Sequence, residues 1–583
     1  MRNRQYSGPS LPLSQEMDEM KYRQEGETFD DKIKRIASAL ADDDAHQLEF
    51  EEILGEMRFL PAGRVQSSMG SKRIVTAFNC FVSGEIEDSM KTIMDRAAEA
   101  AETMRRGGGI GYDFSKIRPQ GDLIKSLDSS ASGPVSFMGI FDAVCQTISS
   151  SGHRRGAQMG VLRVDHPNIK DFITAKRNSD KLTGFNVSVG ITDKFMEALN
   201  AEDDSFDLTF EGTVYSTISA RSLWDTIMES TWDWAEPGVL FVDRINEMNN
   251  LHYCEEIAAT NPCGEQPLPP YGACLLGSFS LPQYLYKVNS GDDFYSFNFT
   301  QFKKDIPQVV RAMDNVIDRT IYPLKEQQDE ALNKRRMGLG ISGLANAGEM
   351  LGFPYASEGF LKWAEKVFAC LRDETYRASA RLAKEKGSFP LYDPAYLKSN
   401  FIRTLPQSVK KEIRSYGIRN SHLTSIAPTG TISLVADNIS SGLEPPFSHY
   451  YDRTIQTGDG ERVERVEDYA YSRGYRGRTS NDLTVLEHLS VLTLAAHYVD
   501  SAVSKTCNVG DDVSYEEFKK VYENAWKDGC KGVTTFRAAG KRYGILKTVE
   551  EEEETESPTE SISEEQGAQA CYFDAETGRR ECE

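Results

Sequence analysis

Two stretches decide the fold: the run GFNVSVGI at residues 184–191, and FLKWAEKVFACLRDETYRASARLAKEK at 360–386. The first is a short apolar run bounded by glycine, which reads as a buried strand. The second carries apolar residues at the three-to-four spacing of a helix. From about Arg64 to Leu546 the chain alternates between these patterns, which predicts strands linked by helices around one large sheet or barrel, an α/β fold. No internal repeat of fixed period interrupts it. Upstream, residues 1 to about 30 read as polar and loosely ordered, and the spacing of IKRIASAL and HQLEFEEILGEM between Phe29 and Met57 predicts helices. Beyond Leu546 the acidic run Glu550 to Glu554 and TESPTESISEEQGAQ have almost nothing to bury and predict a flexible spacer. The expected organisation is therefore a helical region at 1–58, a large α/β domain at 59–546 and an acidic tail at 547–583.

At 583 residues the chain is long enough for one large catalytic domain or several ordinary ones. Its formal net charge of -22 argues against a general nucleic-acid binder, because neutralising a phosphate backbone takes a surplus of Lys and Arg. Single nucleotides remain open, since a few local donors suffice for one phosphate group. No run of about 18 apolar residues is present, so neither a membrane span nor a signal peptide is expected and a cytoplasmic location is. Ten cysteines spread through such a chain are either small buried hydrophobes or working thiols.

The densest chemical cluster is Thr260-Asn261-Pro262-Cys263-Gly264-Glu265-Gln266, followed by Tyr271-Gly272-Ala273-Cys274. In an extended segment alternate side chains share a face, so Asn261, Cys263 and Glu265 are expected to project together. Taken alone, this suits a cysteine nucleophile with a carboxylate base as well as radical chemistry, while the bland reading is a loop with a structural cysteine. Two further cysteines, Cys571 and Cys582, lie in the last segment, ACYFDAETGRRECE, where an idle thiol would be open to oxidation.

Seven segments occur in the order found in the ribonucleotide reductase family: FLPAGR, FNCFVSGEIEDSM, RRGGGIGYDFSKIRPQG, SSGHRRGAQMG, NPCGEQPLPPYGACLLGS, RRMGLGISGLA and APTGTISL. The chain closely resembles that family from about Phe59 to Leu546. The resemblance implies a ten-stranded α/β barrel with the Asn-x-Cys-x-Glu loop at its centre. It further implies that Cys263 carries a thiyl radical, that Glu265 accepts the 3′-hydroxyl proton, and that Asn261 hydrogen-bonds the reacting sugar. Cys80 and Cys274 match the thiols that supply the reducing electrons and close to a disulfide. Cys571 and Cys582 fit a tail shuttle that reopens it by exchange, recharged by a thioredoxin- or glutaredoxin-like reductant.

Pro428, Thr429, Gly430, Thr431, Ile432 and Ser433 resemble the family's substrate phosphate site; without that context a plain capped helix is the commoner reading. Asp88, Ser89, the glycines from Arg106 to Gly111, and Arg118 resemble segments that bind a deoxynucleoside triphosphate effector at a homodimer interface. Arg154 and Arg155 match the loop that reports effector identity to the substrate. Alone, the glycines would be only a tight turn or a close packing point. Cys145, Cys254, Cys370, Cys507 and Cys530 match no catalytic position.

Members of the family differ in radical source. A subunit that imports its radical is expected to show adjacent tyrosines within GCKGVTTFRAAGKRYGIL, and here Thr535 and Phe536 stand instead. Together with the wording of the central segments, this implies the adenosylcobalamin-dependent type; the alternative is a catalytic subunit served by a separate metal-containing subunit, with Tyr543 as a rearranged relay. The glycyl-radical type does not fit this loop and tail. Fewer than about 60 residues precede FLPAGR, so no separate ATP-binding module and no dATP on/off switch are expected. No protein-held metal is expected. Two other classes remain: a non-catalytic binding protein on the same fold, and a cysteine hydrolase with a histidine beside Cys263. Substrate di- and triphosphates are not distinguished.

Overall fold

The protein is described from a computed structural model. The described residues are 6–150, 154–155, 157–177, 181–288, 295–457, 460–510, 512–537, 571–574 and 579–582, with backbone only at 149–150, 154–155, 453–457, 460–461, 571–574 and 579–582.

The dominant feature is an eight-stranded sheet in the order Ala273–Cys274, Cys80–Val82, Gly109–Asp113, Gln158–Arg163, Phe185–Ile191, Gly238–Phe241, Gly532–Arg537, Thr506–Val509. Five consecutive strands, Cys80–Val82 through Gly238–Phe241, run parallel, which requires crossovers; the helices Met90–Arg105, Pro134–Thr147 and Ala220–Trp234 supply three of them. GFNVSVGI forms the strand Phe185–Ile191, buried at every position, as expected for a strand covered on both faces. The stretch at 360–386 lies in the helix Glu358–Lys386, whose N-cap Ser357 accepts from the Phe360 amide.

A second sheet joins Phe59–Pro61, Leu276–Ser280 and Gly338–Ser342. Among the described residues these two sheets do not close into one continuous ladder. The two sheets are linked covalently through Leu275, and the isolated bridges Leu339 to Thr424 and Ile426 to Val503 lead from the second sheet towards Thr506–Val509. The Glu265 carbonyl accepts from both the Ala502 amide (2.9 Å) and Ser425 Oγ (2.8 Å), so the candidate active loop is tied to both of these segments.

The N-terminal stretch is more ordered than its polarity predicts. Pro12–Tyr22 is helical and buries Leu13, Met17 and Tyr22; Ser14 Oγ donates to the Leu434 carbonyl at 2.6 Å, and Asp437 accepts from Ser10. Phe29–Leu40 and Asp44–Gly55 follow as expected, the former opened by a Thr28/Asp31 capping box. Among the described residues no helix is long and apolar enough to cross a membrane, and no cluster of His, Cys, Asp or Glu could hold a metal ion.

Candidate active site

The Asn261–Glu265 segment is a tight loop rather than an extended strand. Short antiparallel strands Ala259–Thr260 and Pro267–Leu268 bring its ends together, the Asn261 amide donates to the Gln266 carbonyl (3.1 Å), and Gly264 takes φ +82°. Cys263 and Glu265 share a cavity because they sit on a hairpin tip, not because strand positions alternate. Asn261 is fully buried. Its Oδ1 accepts from the Gln266 amide at 2.9 Å and its Nδ2 has no partner; unlike Cys263 and Glu265, Asn261 does not line the cavity they share.

The glycines of RRGGGIGYD act on this loop. A Cβ on Gly111 would fall 1.9 Å from the Thr260 carbonyl oxygen, and one on Gly109 would meet Pro262 at 3.2 Å and Cys80 Sγ at 3.4 Å. For these two positions the close-packing reading is the right one: the missing side chains let the loop rest on the sheet. Met159, Val161 and Leu240 of the sheet pack with Ile257, Ala259 and Leu268 of the hairpin arms in one apolar cluster.

Cys80 and Cys274 are direct register partners on neighbouring antiparallel strands, and both are buried and outside any disulfide. Burial first, then the neighbouring Cys80 and Glu265, push the Cys274 thiol well above its ordinary range, so it stays protonated near neutrality. Cys263 is disulfide-bonded. Of the other thiols, Cys145, Cys370, Cys507 and Cys530 are buried and Cys254 is exposed. Burial raises Cys507 to about 12 and Cys530 to about 11.

Cys80, Cys263 and Glu265 line one cavity of about 620 Å³ together with Ala427 to Ile432. That volume falls in the range of small-ligand sites. Gly430–Val435 is a short helix whose N-cap Thr429 is left-handed (φ +57°) and makes no side-chain cap. Two expected hydroxyls point elsewhere: Thr429 Oγ1 and Ser433 Oγ lie 3.0 Å apart and both meet Ser342 Oγ, forming a buried network behind the helix. Ser433 does not line the cavity, so Pro428 to Ile432, with first-turn amides that lack intrahelical acceptors, form the wall.

Several wall residues carry no sequence signal for this role. Met20, Lys21 and Tyr22 arrive from the N-terminal helix, Arg64 from FLPAGR, and Asn79 immediately precedes Cys80. No histidine lines the cavity, which removes the hydrolase arrangement among the described residues.

The effector candidates lie elsewhere. Arg118 donates its amide to Asp88 Oδ1 (3.1 Å) and its guanidinium to Oδ2, while Ser89 caps the helix Met90–Arg105 by accepting from Thr92. Asp88 lines a separate cavity of about 510 Å³ with Lys116, Arg163, His166 and Phe210. Arg154 and Arg155 form a two-residue strand paired with Ser149–Ser150; their side chains lie outside the described atoms. Cys571 and Cys582 are register partners in the hairpin Cys571–Asp574/Arg579–Cys582, again without described side chains. The second strand of that hairpin lies against the helix Gly430–Val435.

Residues 78–536 match the family model described as ribonucleotide reductase, barrel domain. Among curated proteins, the chain is 34% identical over 528 residues to a vitamin B12-dependent ribonucleoside-diphosphate reductase of Thermoplasma acidophilum, covering 85% of this chain and 66% of the relative. It is likewise 34% identical over 527 residues to a protein of that name from Mycobacterium tuberculosis (85% and 72%), and 26% identical over 546 residues to a vitamin B12-dependent ribonucleotide reductase of Streptomyces coelicolor (79% and 56%). The chain thus spans between about half and three quarters of the length of these relatives. The match over most of its length, with Cys80, Cys263, Glu265 and residues 427–432 lining one cavity, makes this chain a member of the ribonucleotide reductase family.

Proposed function

We propose that the chain reduces ribonucleotides to 2′-deoxyribonucleotides by thiyl-radical chemistry with adenosylcobalamin as radical source. The observation that carries the reading is the convergence of Cys263, Glu265 and Cys80 on one cavity, with Cys274 paired to Cys80 behind it. Once reduced, the Cys263 thiol loses a hydrogen atom to become the thiyl radical that takes the substrate's 3′ hydrogen. Glu265 receives the 3′-hydroxyl proton, and the unpartnered Asn261 Nδ2 is a donor available to the sugar. The C2′–O bond then breaks and the oxygen leaves as water. Cys80 and Cys274 give up two hydrogens and close to a disulfide, which balances the reaction. The 3′ hydrogen is returned at the end, restoring the radical on Cys263.

Names of three relatives include dependence on vitamin B12. The residues here fit such a group: Ala62, Gly63, Ile74 and Val75 give the cavity a wall of small and apolar side chains, and Ile74 is 73% exposed, as a large flat ligand requires. When bound, adenosylcobalamin supplies a weak carbon–cobalt bond whose homolysis provides the oxidising equivalent. The partner-subunit alternative is disfavoured by Thr535 and Phe536, and by a second small cavity beside Cys263 whose lining, from Met159 to Thr534, contains no tyrosine. Tyr543, the other relay candidate, lies outside the described residues.

The strands around the site belong to a ten-stranded barrel in this reading, and residues 1–58, 59–546 and 547–583 to a helical region, the catalytic domain and the tail. Pro428 to Ile432 hold the substrate phosphate. Cys571 and Cys582, opposite each other on a hairpin beside the helix that carries this wall, reopen the Cys80–Cys274 disulfide and are recharged by a thioredoxin- or glutaredoxin-like protein. Asp88, Ser89, Arg118 and Arg155 bind a deoxynucleoside triphosphate effector at a homodimer interface, and the protein works in the cytoplasm.

The test is anaerobic turnover of CDP and CTP by the purified chain with dithiothreitol, with and without adenosylcobalamin. Deoxycytidine product that requires the cofactor and is lost in Cys263→Ala is expected; product without the cofactor, or none with it, overturns the reading.

A further inference from the structure

Behind the cavity wall a line of buried hydrogen bonds runs from Asp468 to Thr429. Asp468 follows the hairpin Tyr450–Thr457/Gly460–Glu467, and its amide donates to the His449 carbonyl at the hairpin's root (2.9 Å). Its carboxylate accepts from the Ala470 and Tyr471 amides (3.0 and 3.2 Å) and, through both oxygens, from Asn346 Nδ2 (2.9 Å each). Asn346, on the helix Leu344–Met350, accepts with its own oxygen from the Ser440 amide (2.6 Å), while its backbone amide donates to Ser440 Oγ (3.3 Å). The Ser440 carbonyl accepts from Ser342 Oγ (3.1 Å). A hydroxyl has one hydrogen, so with that one committed Ser342 is left as an acceptor towards Thr429 Oγ1 (3.0 Å) and Ser433 Oγ (2.6 Å). Thr429 Oγ1 accepts in turn from the Gly442 amide (2.8 Å). Every side chain in the line is buried.

Thr429 requires such a hold. Its φ of +57° is left-handed, a conformation that a β-branched residue adopts only when its surroundings impose it. The bonds to Ser342 and Gly442 fix its side chain, and with it the turn that sets residues 430–432 on the cavity. We propose that Asn346, held by Asp468, positions the phosphate-binding wall through Ser440 and Ser342 without touching the substrate. This inference rests on the reductase reading and adds positioning residues to it. The polarity of the line dictates the residue types. The residue at 346 must accept from Ser440 and donate to Asp468, and a side-chain amide does both where a carboxylate only accepts. In a dry interior each bond is strong and an interruption leaves a buried group unmet, so a break at Asp468 is felt at Thr429.

The experiment breaks the line at two places and mends it at one. Asn346→Asp sets two carboxylates against each other. Combining it with Asp468→Asn exchanges the partners, so that a donor again faces an acceptor. Ser342→Ala removes the link next to Thr429. Equilibrium binding of CDP and CTP is measured without adenosylcobalamin, and kcat and KM with it, on protein whose folding is verified by thermal unfolding. Asn346→Asp and Ser342→Ala are each expected to weaken nucleotide binding and raise KM by about tenfold, the size of one neutral hydrogen bond, with kcat within about threefold of wild type. The exchange variant is expected to return to within about threefold of wild-type affinity. Wild-type affinity in either single variant, an exchange variant no better than Asn346→Asp, or a fall in kcat with KM unchanged overturns the inference. If Asn346→Asp does not fold, the other two decide: weak binding by Ser342→Ala beside recovery in the exchange variant supports it, and any other pairing overturns it. Failure of the reductase reading is seen separately, as absence of deoxynucleotide product from the wild type, whereas the affinities are read without turnover.

Discussion

Cys80 and Cys274 face each other across an antiparallel strand pair although they come from distant parts of the chain, and the second sits fully buried beside the first. Burial keeps Cys274 protonated, the state in which a thiol can deliver both a proton and an electron. Either Cys80→Ser or Cys274→Ser is expected to bring multiple-turnover deoxynucleotide formation to background. In the wild type without added reductant, quantified free thiols should fall by two per product formed; an unchanged thiol count would exclude the pair as the reductant.

Glu265 is buried on the hairpin tip, and two hydrogen bonds to its carbonyl, from Ala502 and Ser425, fix its backbone. Glu265→Gln keeps that frame and removes the base. The expected loss in kcat is about 10²–10⁴-fold, with substrate affinity little altered. Steady-state kinetics beside equilibrium binding separates the two, and an equal loss in both would assign Glu265 to binding alone.

Gly111 touches no reacting group in this scheme, yet a methyl there would fall 1.9 Å from the Thr260 carbonyl at the root of the active loop. Gly111→Ala is expected to destabilise the protein by about 1–3 kcal/mol and to lower turnover by shifting Cys263 and Glu265. Thermal unfolding with activity measured on the folded fraction checks this. A variant with unchanged melting temperature and activity would mean the loop has room that the structure does not give it.

Lys531 is buried and donates to the carbonyls of Asp500 and Ser501, next to the Ala502 amide that grips Glu265. Burial lowers its pKa from 10.5 to about 8, opposed by the charge of Asp500. The unfolded chain holds the lysine proton to higher pH than the folded one, so between those two values the unfolded state binds more protons and stability rises with pH. Below about pH 8 the burial penalty is present in full. Denaturant unfolding across that window should show the wild type gaining on Lys531→Met by about 3 kcal/mol. A flat difference would indicate that Lys531 titrates normally.

Phe536 is a buried residue on the strand Gly532–Arg537, at the position where an imported radical would call for tyrosine. Phe536→Leu is expected to cost about 1 kcal/mol of packing and to leave cobalamin-dependent turnover within a few-fold. Complete loss of turnover in a folded variant would restore a relay through this strand.

The α/β class and the long helix over 360–386 were legible in the residues, because strand and helix periodicity are local properties of a sequence, and Cys263, Glu265, Asn261, Cys80 and Cys274 could be named as candidates from short motifs in the order of the family they resemble. Tertiary structure decided the rest. That Asn261 to Glu265 form a hairpin tip depends on arms that pair only when packed on the sheet, and that Gly109 and Gly111 serve this loop depends on which backbone crosses them. The inward turn of Thr429 and Ser433 follows from Ser342 arriving on another strand. Residues 12–22 read as loose because their polar side chains outnumber the three apolar ones that bury; the helix is held by Leu434 and Asp437, far away in sequence. The same holds for Asn346: its type is in the sequence, but its hold on the cavity wall exists only once Asp468 and Ser440, both distant along the chain, have met it in the interior.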